Sequence, residues 1–336
     1  MRRLFTPGKV LLAFGAVVVL ALVLVLVLPD RDAYIFLPDE PHAVEPLISV
    51  RNGVKPDGRG GIFFVDIIVK QPSLAERYFP ELFHDGASLV PAHAVNPTGL
   101  SEGDRRRASL RMMSRSKRVA AAVALRAAGY RVRVTQEGAF VVQVIPGTAA
   151  ARDLHPSDVI VEVDGVRVGT LAKLRGLLAA KKPGDRISLV VRRDGKPRRF
   201  VLTLGADPSD KTRAVMGVLI EQAANIHLPV KVEIDTGNVG GPSAGLAMAL
   251  GLLEKLGRDV DNGRRVAATG EIGIDGSVGP VGGIKQKTIG AREAGIQLFL
   301  VPAGDNAREA SRYAEGMRIA PVRSFQQALQ VLATTG

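Results

Sequence analysis

The run Asn-Val-Gly-Gly-Pro-Ser-Ala-Gly at residues 238–245 places one small nucleophilic side chain, Ser243, between glycines. A helical pattern follows directly, because apolar residues recur every three or four positions over residues 246–256. A serine at a helix N-terminus lies among free backbone N–H groups at the positive end of the helix dipole, which can stabilise an oxyanion. An ordinary strand-to-helix turn capped by serine fits the same run equally well. The run therefore indicates either acyl-transfer chemistry or a capped turn.

Residue order separates three serine mechanisms. Residues 241–245 match the G-x-S-x-G elbow of α/β-hydrolases, whose triad continues with an acid and then a histidine. No histidine follows His227, so this mechanism is excluded. Residues 238–242 resemble the nucleophile segment of trypsin-like proteases only superficially, because Val239 stands where the serine would be. A serine with a lysine base remains.

Two further motifs follow the serine run in register. They are Thr-Gly-Glu-Ile at residues 269–272 and Val-Gly-Gly-Ile-Lys-Gln-Lys at residues 281–287. Their order closely resembles the proteolytic domain of the Lon peptidase family, and the similarity continues through residues 298–302, Asn306 and residues 319–322. The resemblance covers roughly the last third of the chain. Each motif alone is common, but the three motifs in this order are a specific indication of the family.

The resemblance implies a role for each motif. Ser243 would be the nucleophile and Lys285 its general base, with Thr269 as a hydrogen-bond partner that holds the pair. Backbone groups around the serine would stabilise the oxyanion, and the residues expected to supply this support are Gly241, Pro242 and Ala244.

A lysine base must be neutral at the working pH. The pKa of Lys285 must therefore fall from about 10.4 to about 7 or 8 through burial, which corresponds to about 4 kcal/mol. Lys287 is two positions further along the predicted helix, about 200° around its axis, so only one of the two lysines can face Ser243. We expect that residue to be Lys285, and we expect Lys287 to be a solvated surface residue.

The chain departs from ATP-dependent Lon enzymes in several places. Those enzymes commonly carry an aspartate where this chain has Gly240, and often a histidine where it has residues 231–235. Both differences concern how the dyad is activated. No G-x-x-x-x-G-K-[ST] phosphate loop occurs in the sequence. We therefore expect an ATP-independent enzyme whose substrates offer unfolded or exposed segments.

Residues 138–204 form a separate small unit. Strands are expected over residues 139–144, 158–163, 187–191 and 200–204, with a short helix over residues 171–178 and an Asp194-Gly195 hairpin turn. The unit resembles a bacterial PDZ domain, a class that adds an extended peptide to a sheet edge beside a helix. The resemblance implies a carboxylate-binding loop and an apolar groove, although the groove leucines fit a simple core equally well. The peptide-binding residues expected are Gly138, Ala139, Phe140, Leu171, Leu174 and Leu178.

The N-terminus combines basic and apolar residues. Arg2, Arg3 and Lys9 precede an uninterrupted apolar run at residues 10–28, which as a helix would span about 28 Å, close to the hydrocarbon thickness of a bilayer. A cleaved signal peptide is the alternative, but no small-residue cleavage site follows. The positive-inside rule places the N-terminus in the cytoplasm. We therefore expect a single-pass cell-membrane protein with extracytoplasmic catalytic and PDZ domains.

Composition excludes several classes of protein. The absence of cysteine rules out disulfides and thiolate metal sites, and we expect neither a metal nor a cofactor. The net charge of +12 is compatible with nucleic-acid binding, but aromatic residues make up only 4% of the chain and no nucleic-acid motif occurs. We expect no nucleic-acid partner and attribute the charge to an anionic membrane surface.

Two local patterns lie in the first half of the chain. Ser114-Arg-Ser-Lys117 matches the S-x-x-K motif of penicillin-binding enzymes, but the partner motifs are missing. Ser114 or Ser116 is therefore interpreted as the start of a helix that ends at Gly129. Residues 47–50 and 61–69 are predicted to be strands, with a turn over residues 56–61.

The predicted architecture is α+β: an N-terminal transmembrane helix and a Lon-type proteolytic domain, a mixed sheet with packed helices, interrupted by a PDZ domain. The predicted divisions are residues 1–30 (cytoplasmic tip and anchor), 31–130 (first peptidase part), 131–206 (PDZ domain) and 207–336 (catalytic part).

The leading hypothesis is a membrane-anchored, ATP-independent serine endopeptidase whose PDZ module recognises exposed or C-terminal segments of membrane or secreted proteins. A catalytically inactive peptide-binding scaffold is the alternative, and a cytoplasmic DNA-binding protein is the least favoured hypothesis. The Lon resemblance implies a homo-oligomeric ring, with a hexamer expected.

Overall fold

The computed structural model describes residues 7–54, 60–96 and 101–334. Arg2, Arg3 and most of the predicted turn at residues 56–61 lie outside the described residues. The helices within the described residues are α1 (Pro7–Val27), α2 (Leu74–Tyr78), α3 (Pro80–Phe83), α4 (Ala92–Val95), α5 (Glu102–Ala127), α6 (Ala150–Asp153), α7 (Leu171–Ala179), α8 (Gly245–Lys255), α9 (Ile284–Glu293), α10 (Asp305–Arg312) and α11 (Phe325–Thr334), with a 3₁₀ turn at Glu45–Leu47.

The strands fall into two larger sheets and several short ladders. In chain order they are β1 (Ala33–Pro38), β2 (His42–Ala43), β3 (Ile48–Val50), β4 (Gly61–Phe64), β5 (Ile67–Lys70), β6 (Ser88–Pro91), β7 (Arg133–Val144), β8 (Val159–Val163), β9 (Val166–Arg167), β10 (Arg186–Arg193), β11 (Lys196–Thr203), β12 (Gly205–Ala206), β13 (Ala214–Val215), β14 (Val218–His227), β15 (Val232–Ile234), β16 (Arg265–Ala268), β17 (Glu271–Ile272), β18 (Val278–Gly279), β19 (Leu298–Pro302) and β20 (Arg318–Val322).

The central sheet has the order β2-β4-β16-β19-β20. Strands β4, β16, β19 and β20 run parallel, and β2 is antiparallel at one edge. Every residue of β19 is buried, as expected for a parallel strand covered on both faces. Helices α5 and α8 pack against each other beside this sheet, and α8 also contacts β4.

One hydrophobic core joins residues that lie on either side of the PDZ-like unit in the chain. Phe64 and Val119 pack in the same buried cluster as Leu250 and Leu300. The intervening unit has its own core, which includes Ile160. The structure is thus a mixed α+β fold in which a second small domain is inserted within a larger one.

The PDZ-like sheet has the order β11-β10-β8-β7-β14 and its pairs are antiparallel. The hairpin between β10 and β11 turns at Asp194 and Gly195, which have φ values of 52° and 74°. The predicted hairpin is therefore confirmed, because two consecutive positive φ values match the twist of the flanking strands. Strand β14 ends the sheet at the side opposite β11 and pairs with β7 along its length.

The predicted single strand over residues 61–69 is wrong. The chain forms β4, leaves the extended ladder at Val65 and Asp66, and forms β5 in a different sheet of order β5-β1-β6. The change of sheet frees the carbonyl of Val65 from a ladder. That carbonyl accepts a hydrogen bond from the buried side chain of Lys287.

The predicted start of the long helix at Ser114 or Ser116 is also wrong. Helix α5 begins at Glu102, and the side chain of Ser101 accepts a hydrogen bond from the N–H of Asp104. Ser101 is thus the N-cap that the structure uses. Both predicted starts lie inside the helix, which ends near the expected Gly129.

Helix α1 covers most of the apolar N-terminal run. Within residues 7–54, 60–96 and 101–334, no helix reaches the combination of length and apolarity that crossing a membrane requires. The predicted transmembrane helix is therefore not supported by the structure.

Candidate active site

Ser243 lies in the turn that leads into α8, where Ala244 is the N-cap. The glycines on either side have different reasons to be there. Gly241 has a φ of 84°, a conformation that side chains with a Cβ rarely adopt. A Cβ on Gly245 would lie 2.8 Å from the Oγ of Ser116 and 2.9 Å from Cγ2 of Ile272. The glycine pattern is therefore required by the turn and by close packing against α5 and β17.

Lys287, not Lys285, lies beside the serine. The Nζ of Lys287 is 3.0 Å from the Oγ of Ser243 and also donates a hydrogen bond to the carbonyl of Val65. Only 2% of Lys287 is exposed to solvent, so the expectation that it is a solvated surface residue is wrong.

Lys285 points to another part of the molecule. Its Nζ donates a hydrogen bond to the carbonyl of Ala87 at 3.0 Å and lies 5.6 Å from the centroid of the Tyr313 ring. The structure contradicts the expected pairing of Ser243 with Lys285, and the physical reason is the 200° rotation between the two lysines on α9.

A signal in the sequence favoured Lys287. It lies three positions after Ile284 and four before Ala291, and both of these residues are buried. Positions three and four apart occupy one face of a helix, so Lys287 belongs to the core-facing stripe of α9.

Burial gives Lys287 the acid–base character that a general base needs. Burial lowers its pKa to about 8, and the negative charge of Asp66 acts in the opposite direction. A lysine with this pKa is partly neutral near pH 7 to 8, whereas an exposed lysine is almost fully protonated there.

Asp66 is a polar group at this site that the sequence analysis missed. Burial raises the pKa of its carboxyl group, while the charges of His42 and Lys287 lower it. The Nε2 of His42 lies 3.2 Å from its Oδ1. The available signal was an aspartate inside the otherwise apolar segment of residues 61–69, at the point where the strand breaks.

Thr269 holds the backbone of the nucleophile and does not contact the Ser243–Lys287 side-chain pair. Its Oγ1 donates a hydrogen bond to the carbonyl of Ser243 at 3.2 Å, and the N–H of Gly270 donates to the same oxygen at 2.8 Å. Thr269 is fully buried. The expected role of Thr269 is therefore corrected to that of an anchor for the turn.

Two of the three expected oxyanion residues cannot donate. Pro242 has no backbone N–H, and the N–H of Gly241 donates to the carbonyl of Ser109 at 3.0 Å. Within the described part of the chain, the N–H groups of Ser243 and Ala244 have no acceptor. These two groups are the candidate oxyanion donors.

The turn is fixed from the other side by α5. The Oγ of Ser116 donates to the carbonyl of Pro242 at 3.1 Å. A Cβ on Gly240 would lie 2.3 Å from the Oγ of Ser109. The aspartate that ATP-dependent Lon enzymes commonly carry at this position would therefore require Ser109 to move.

A cleft of about 980 Å³ opens beside Ser243 and Lys287. A cavity of this size accommodates several residues of an extended peptide. Its walls combine apolar and charged side chains, among them Phe36, Ile67, Val69, Val239, Val281, Glu102, Arg105 and Arg106.

The PDZ loop residues expected to bind peptide are not at a free sheet edge. Ala139 and Phe140 lie in β7, which pairs with β8 on one side and with β14 on the other. Gly138 lies so close to β8 that a Cβ would be 2.3 Å from the carbonyl oxygen of Ile160. The N–H of Gly138 already donates to the carbonyl of Gly169, so the backbone of this segment offers no free edge to an added peptide strand.

The three groove leucines belong to the PDZ-like core. Leu174 is fully buried, and Leu171 and Leu178 pack partly buried against the same cluster. Packing in the core of the PDZ-like unit therefore accounts for these three leucines.

Two groups within the described residues bring three candidate metal ligands within 4.8 Å of one another. The first contains Asp66 and His42, which are already paired, together with Asp39. In the second, the Glu254 carboxylate accepts hydrogen bonds from the N–H groups of Val260 and Asp261. In each group, at least one candidate ligand atom therefore already has a protein neighbour.

Comparison with known proteins identifies two domain types. Residues 213–334 match the family described as the Lon protease (S16) C-terminal proteolytic domain. Residues 127–204 match the family described as the PDZ domain. A Lon-type proteolytic domain and a PDZ domain are thus found in this chain.

Individual relatives agree with the match to the Lon proteolytic domain. Lon protease 1 of Sorangium cellulosum (strain So ce56) is 40% identical over 121 residues, which are 32% of this chain and 15% of that protein. Lon protease 2 of Bacillus subtilis (strain 168) is 33% identical over 128 residues, 38% of this chain and 20% of that protein. The chain therefore spans a fifth or less of the length of these two relatives.

Among solved structures, the PDZ domain of the SdrC-like protein from Listeria innocua is 26% identical. The similarity covers 25% of this chain and 94% of that one, with a TM-score of 0.24.

Proposed function

We propose that this protein is a serine endopeptidase in which Ser243 is the nucleophile and Lys287 the general base. The distance of 3.0 Å between Nζ of Lys287 and Oγ of Ser243 carries the proposal. The burial of Lys287 and the similarity of residues 213–334 to Lon proteolytic domains support it.

In the first half of the reaction, neutral Lys287 takes the Oγ proton of Ser243 as the oxygen attacks the peptide carbonyl carbon. The N–H groups of Ser243 and Ala244 stabilise the resulting oxyanion. The ammonium of Lys287 then returns the proton to the leaving nitrogen, the C–N bond breaks, and an acyl-enzyme remains.

In the second half, a water molecule attacks the acyl carbonyl while Lys287 takes one of its protons. The tetrahedral intermediate collapses, the carboxylic acid product leaves, and the proton passes from Lys287 to Oγ of Ser243. The Val65 carbonyl accepts one N–H of Lys287 and thereby orients the amine. Asp66 stabilises the ammonium form electrostatically, which keeps the lysine basic enough to take the proton.

The PDZ domain is proposed to hold extended substrate segments at the outer edge of β14. Strand β14 is the last strand of its sheet, and a terminal strand offers unpaired backbone groups to a peptide. Gln222 in β14 accepts a hydrogen bond from the N–H of Leu171 in α7, so this edge runs beside the helix. Peptide binding should slow amide exchange in residues 218–222. Protection limited to β7 would contradict the proposed edge.

The nucleophile is tested by covalent labelling. A peptidyl phosphonate, which reacts with activated serines, should modify Ser243, and the Ser243→Ala variant should neither react nor cleave an unfolded protein. The absence of labelling in a folded protein that still binds peptides would favour the alternative of an inactive scaffold.

Three features stay predictions of the sequence. Membrane anchoring through residues 10–28 and an extracytoplasmic peptidase are tested by membrane fractionation and by protease accessibility in intact cells. ATP-independence is tested by cleavage of an unfolded protein without nucleotide. Ring assembly, with six subunits expected, is tested by light scattering.

A further inference from the structure

A second cavity, of about 280 Å³, lies at the seam between α5 and the PDZ-like sheet. We call it the seam pocket. It is on the face of the sheet away from the PDZ core, because its wall contains Phe140 and Val159, whereas the neighbours Ala139 and Ile160 point into that core. The seam pocket is therefore separate both from the Ser243 cleft and from the edge of β14.

The wall of the seam pocket has an excess of positive charge. Arg111, Arg115 and Arg118 follow one face of α5, and Arg192 comes from β10, whereas Asp194 is the acidic residue among the lining residues. Each of three arginines has a carboxylate partner.

Those three ion pairs are Arg111 with Asp194, Arg115 with Glu221, and Arg192 with Glu137. Arg118 differs, because its hydrogen bonds go to the neutral oxygens of the Asn225 side chain and the Ile226 carbonyl. Among the described contacts Arg118 thus has no carboxylate partner, so its guanidinium group can pair with a ligand carboxylate.

The rest of the wall is apolar. It includes Val119, Val159, Ile226 and Ile274, and the Arg115 guanidinium stacks on the Phe140 ring at 4.2 Å. Guanidinium groups recognise carboxylates in a directional way, and apolar walls favour a hydrocarbon group. A ligand that fits must therefore carry a carboxylate directly beside an apolar side chain, within the volume of about one residue.

We propose that the seam pocket binds the C-terminal residue of a peptide, with its α-carboxylate on Arg118 and an apolar side chain against Phe140. The proposal builds on the proposed function, because a peptidase generates such C-termini as products.

Helix α5 connects the seam pocket to the nucleophile. On the same helix the Ser116 hydroxyl donates to the carbonyl of Pro242, and two turns earlier the backbone carbonyl of Ser109 accepts from the N–H of Gly241. A bound carboxylate neutralises the charge of Arg118, which has no carboxylate partner among the described residues of the seam pocket, and thereby steadies α5. We therefore expect occupation of the seam pocket to order the turn before Ser243 and to raise the rate of hydrolysis.

Binding is measured by calorimetry on the full-length Ser243→Ala protein, so that the result does not depend on peptidase activity. The probe is acetyl-Gly-Gly-Leu with a free carboxylate. Its C-terminal amide should bind at least tenfold more weakly, because the amide lacks the negative charge that would pair with Arg118. Arg118→Gln should weaken binding of the free acid by at least tenfold. The matched control Arg107→Gln, which changes an arginine of α5 outside the pocket, should have no effect.

Equal binding of acid and amide would overturn the proposal, as would equal affinity for inorganic phosphate, which would indicate an unspecific anion site. Coupling is measured with wild-type protein and a fluorogenic substrate whose C-terminus is amidated. The probe should raise the rate at least twofold with half-maximal effect at its Kd, and Arg118→Gln should lose this response. Binding without a rate increase would overturn the coupling.

Discussion

The active-site cleft and the seam beneath the PDZ domain both bury ionisable groups, and burial shifts the pKa of these groups in opposite directions. In the cleft, burial lowers the pKa of Lys287 to about 8. At the seam, burial raises the pKa of Glu271 to about 7, although Arg115 lies 3.8 Å away. Burial disfavours the charged form in each case. The difference is what lies next to the neutralised group, because only Lys287 has a hydroxyl nucleophile within reach.

The strongest test of this comparison replaces each of the two lysines of α9 in turn. Lys287→Met should lower kcat by at least about 1000-fold, since it removes the only base within contact of Ser243 among the described residues. The matched control Lys285→Met should retain kcat within about fivefold, because that amine contacts the Ala87 carbonyl. Comparable losses of kcat in both variants would show that proximity to Ser243 does not determine which lysine acts as the base.

Glu271, at the seam, is expected to make the stability of the protein depend on pH. The pKa of Glu271 is raised from 4.5 to about 7, so the folded protein keeps a proton that the unfolded chain loses between these pH values. Stability contributed by this group is present below pH 4.5 and is lost as the pH rises through 7. Glu271→Gln should therefore be more stable than the native protein at pH 8, by up to about 3 kcal/mol.

Urea denaturation at pH 4.5 and pH 8 tests this prediction. The gain should disappear at the lower pH. Glu254, whose pKa is likewise raised to about 7, remains in the variant. The free energy of unfolding of the variant should therefore still depend partly on pH. An equal gain at both pH values would point to a packing effect instead.

The nucleophile turn should tolerate little added volume. Gly245→Ala should destabilise the protein by about 2 kcal/mol, because the new methyl group would meet Ile272 and Ser116 at under 3 Å. The matched change Gly176→Ala in α7 has no neighbouring atom within 4 Å and should be neutral or slightly stabilising. Thermal unfolding measures both, and equal Tm values for the two variants would contradict the packing described for α8.

The smallest expected effect concerns Asp66. Its negative charge raises the pKa of Lys287, so Asp66→Asn should lower that pKa further and shift the acidic limb of the kcat/KM profile to lower pH by about one unit or less. The maximal rate at high pH should change little. A shift to higher pH would mean that Asp66 does not act through its charge.

Local patterns predicted the elements better than the contacts between them. The helix after Ser243 and the hairpin at Asp194 were evident because capping, periodicity and turn residues are local properties. The choice of lysine depended on which face of α9 meets Val65, at the break after β4 and more than 200 residues earlier in the chain. The helical stripe that contains Lys287 was present in the sequence, but a charged residue in a buried stripe contradicts the usual expectation for lysine.

The PDZ domain shows the same limit. Four of its strands were predicted at the right places, although β7 and β11 begin several residues earlier than expected. Strand β14, which ends the sheet, lies beyond residues 127–204 that match the PDZ family. A strand contributed from outside the unit pairs with β7, the strand that contains the expected peptide-binding residues Gly138, Ala139 and Phe140. Long-range pairing of this kind has no local signature.

The central claim is that one buried amine is neutral enough to deprotonate Ser243. Its most direct test is an NMR titration of the full-length protein with ¹³C-labelled lysine, in which the Lys287 signal is assigned by its absence from Lys287→Met. A titration with a pKa of about 8 is predicted. A pKa near 10.4, the value of an exposed lysine, would contradict the account.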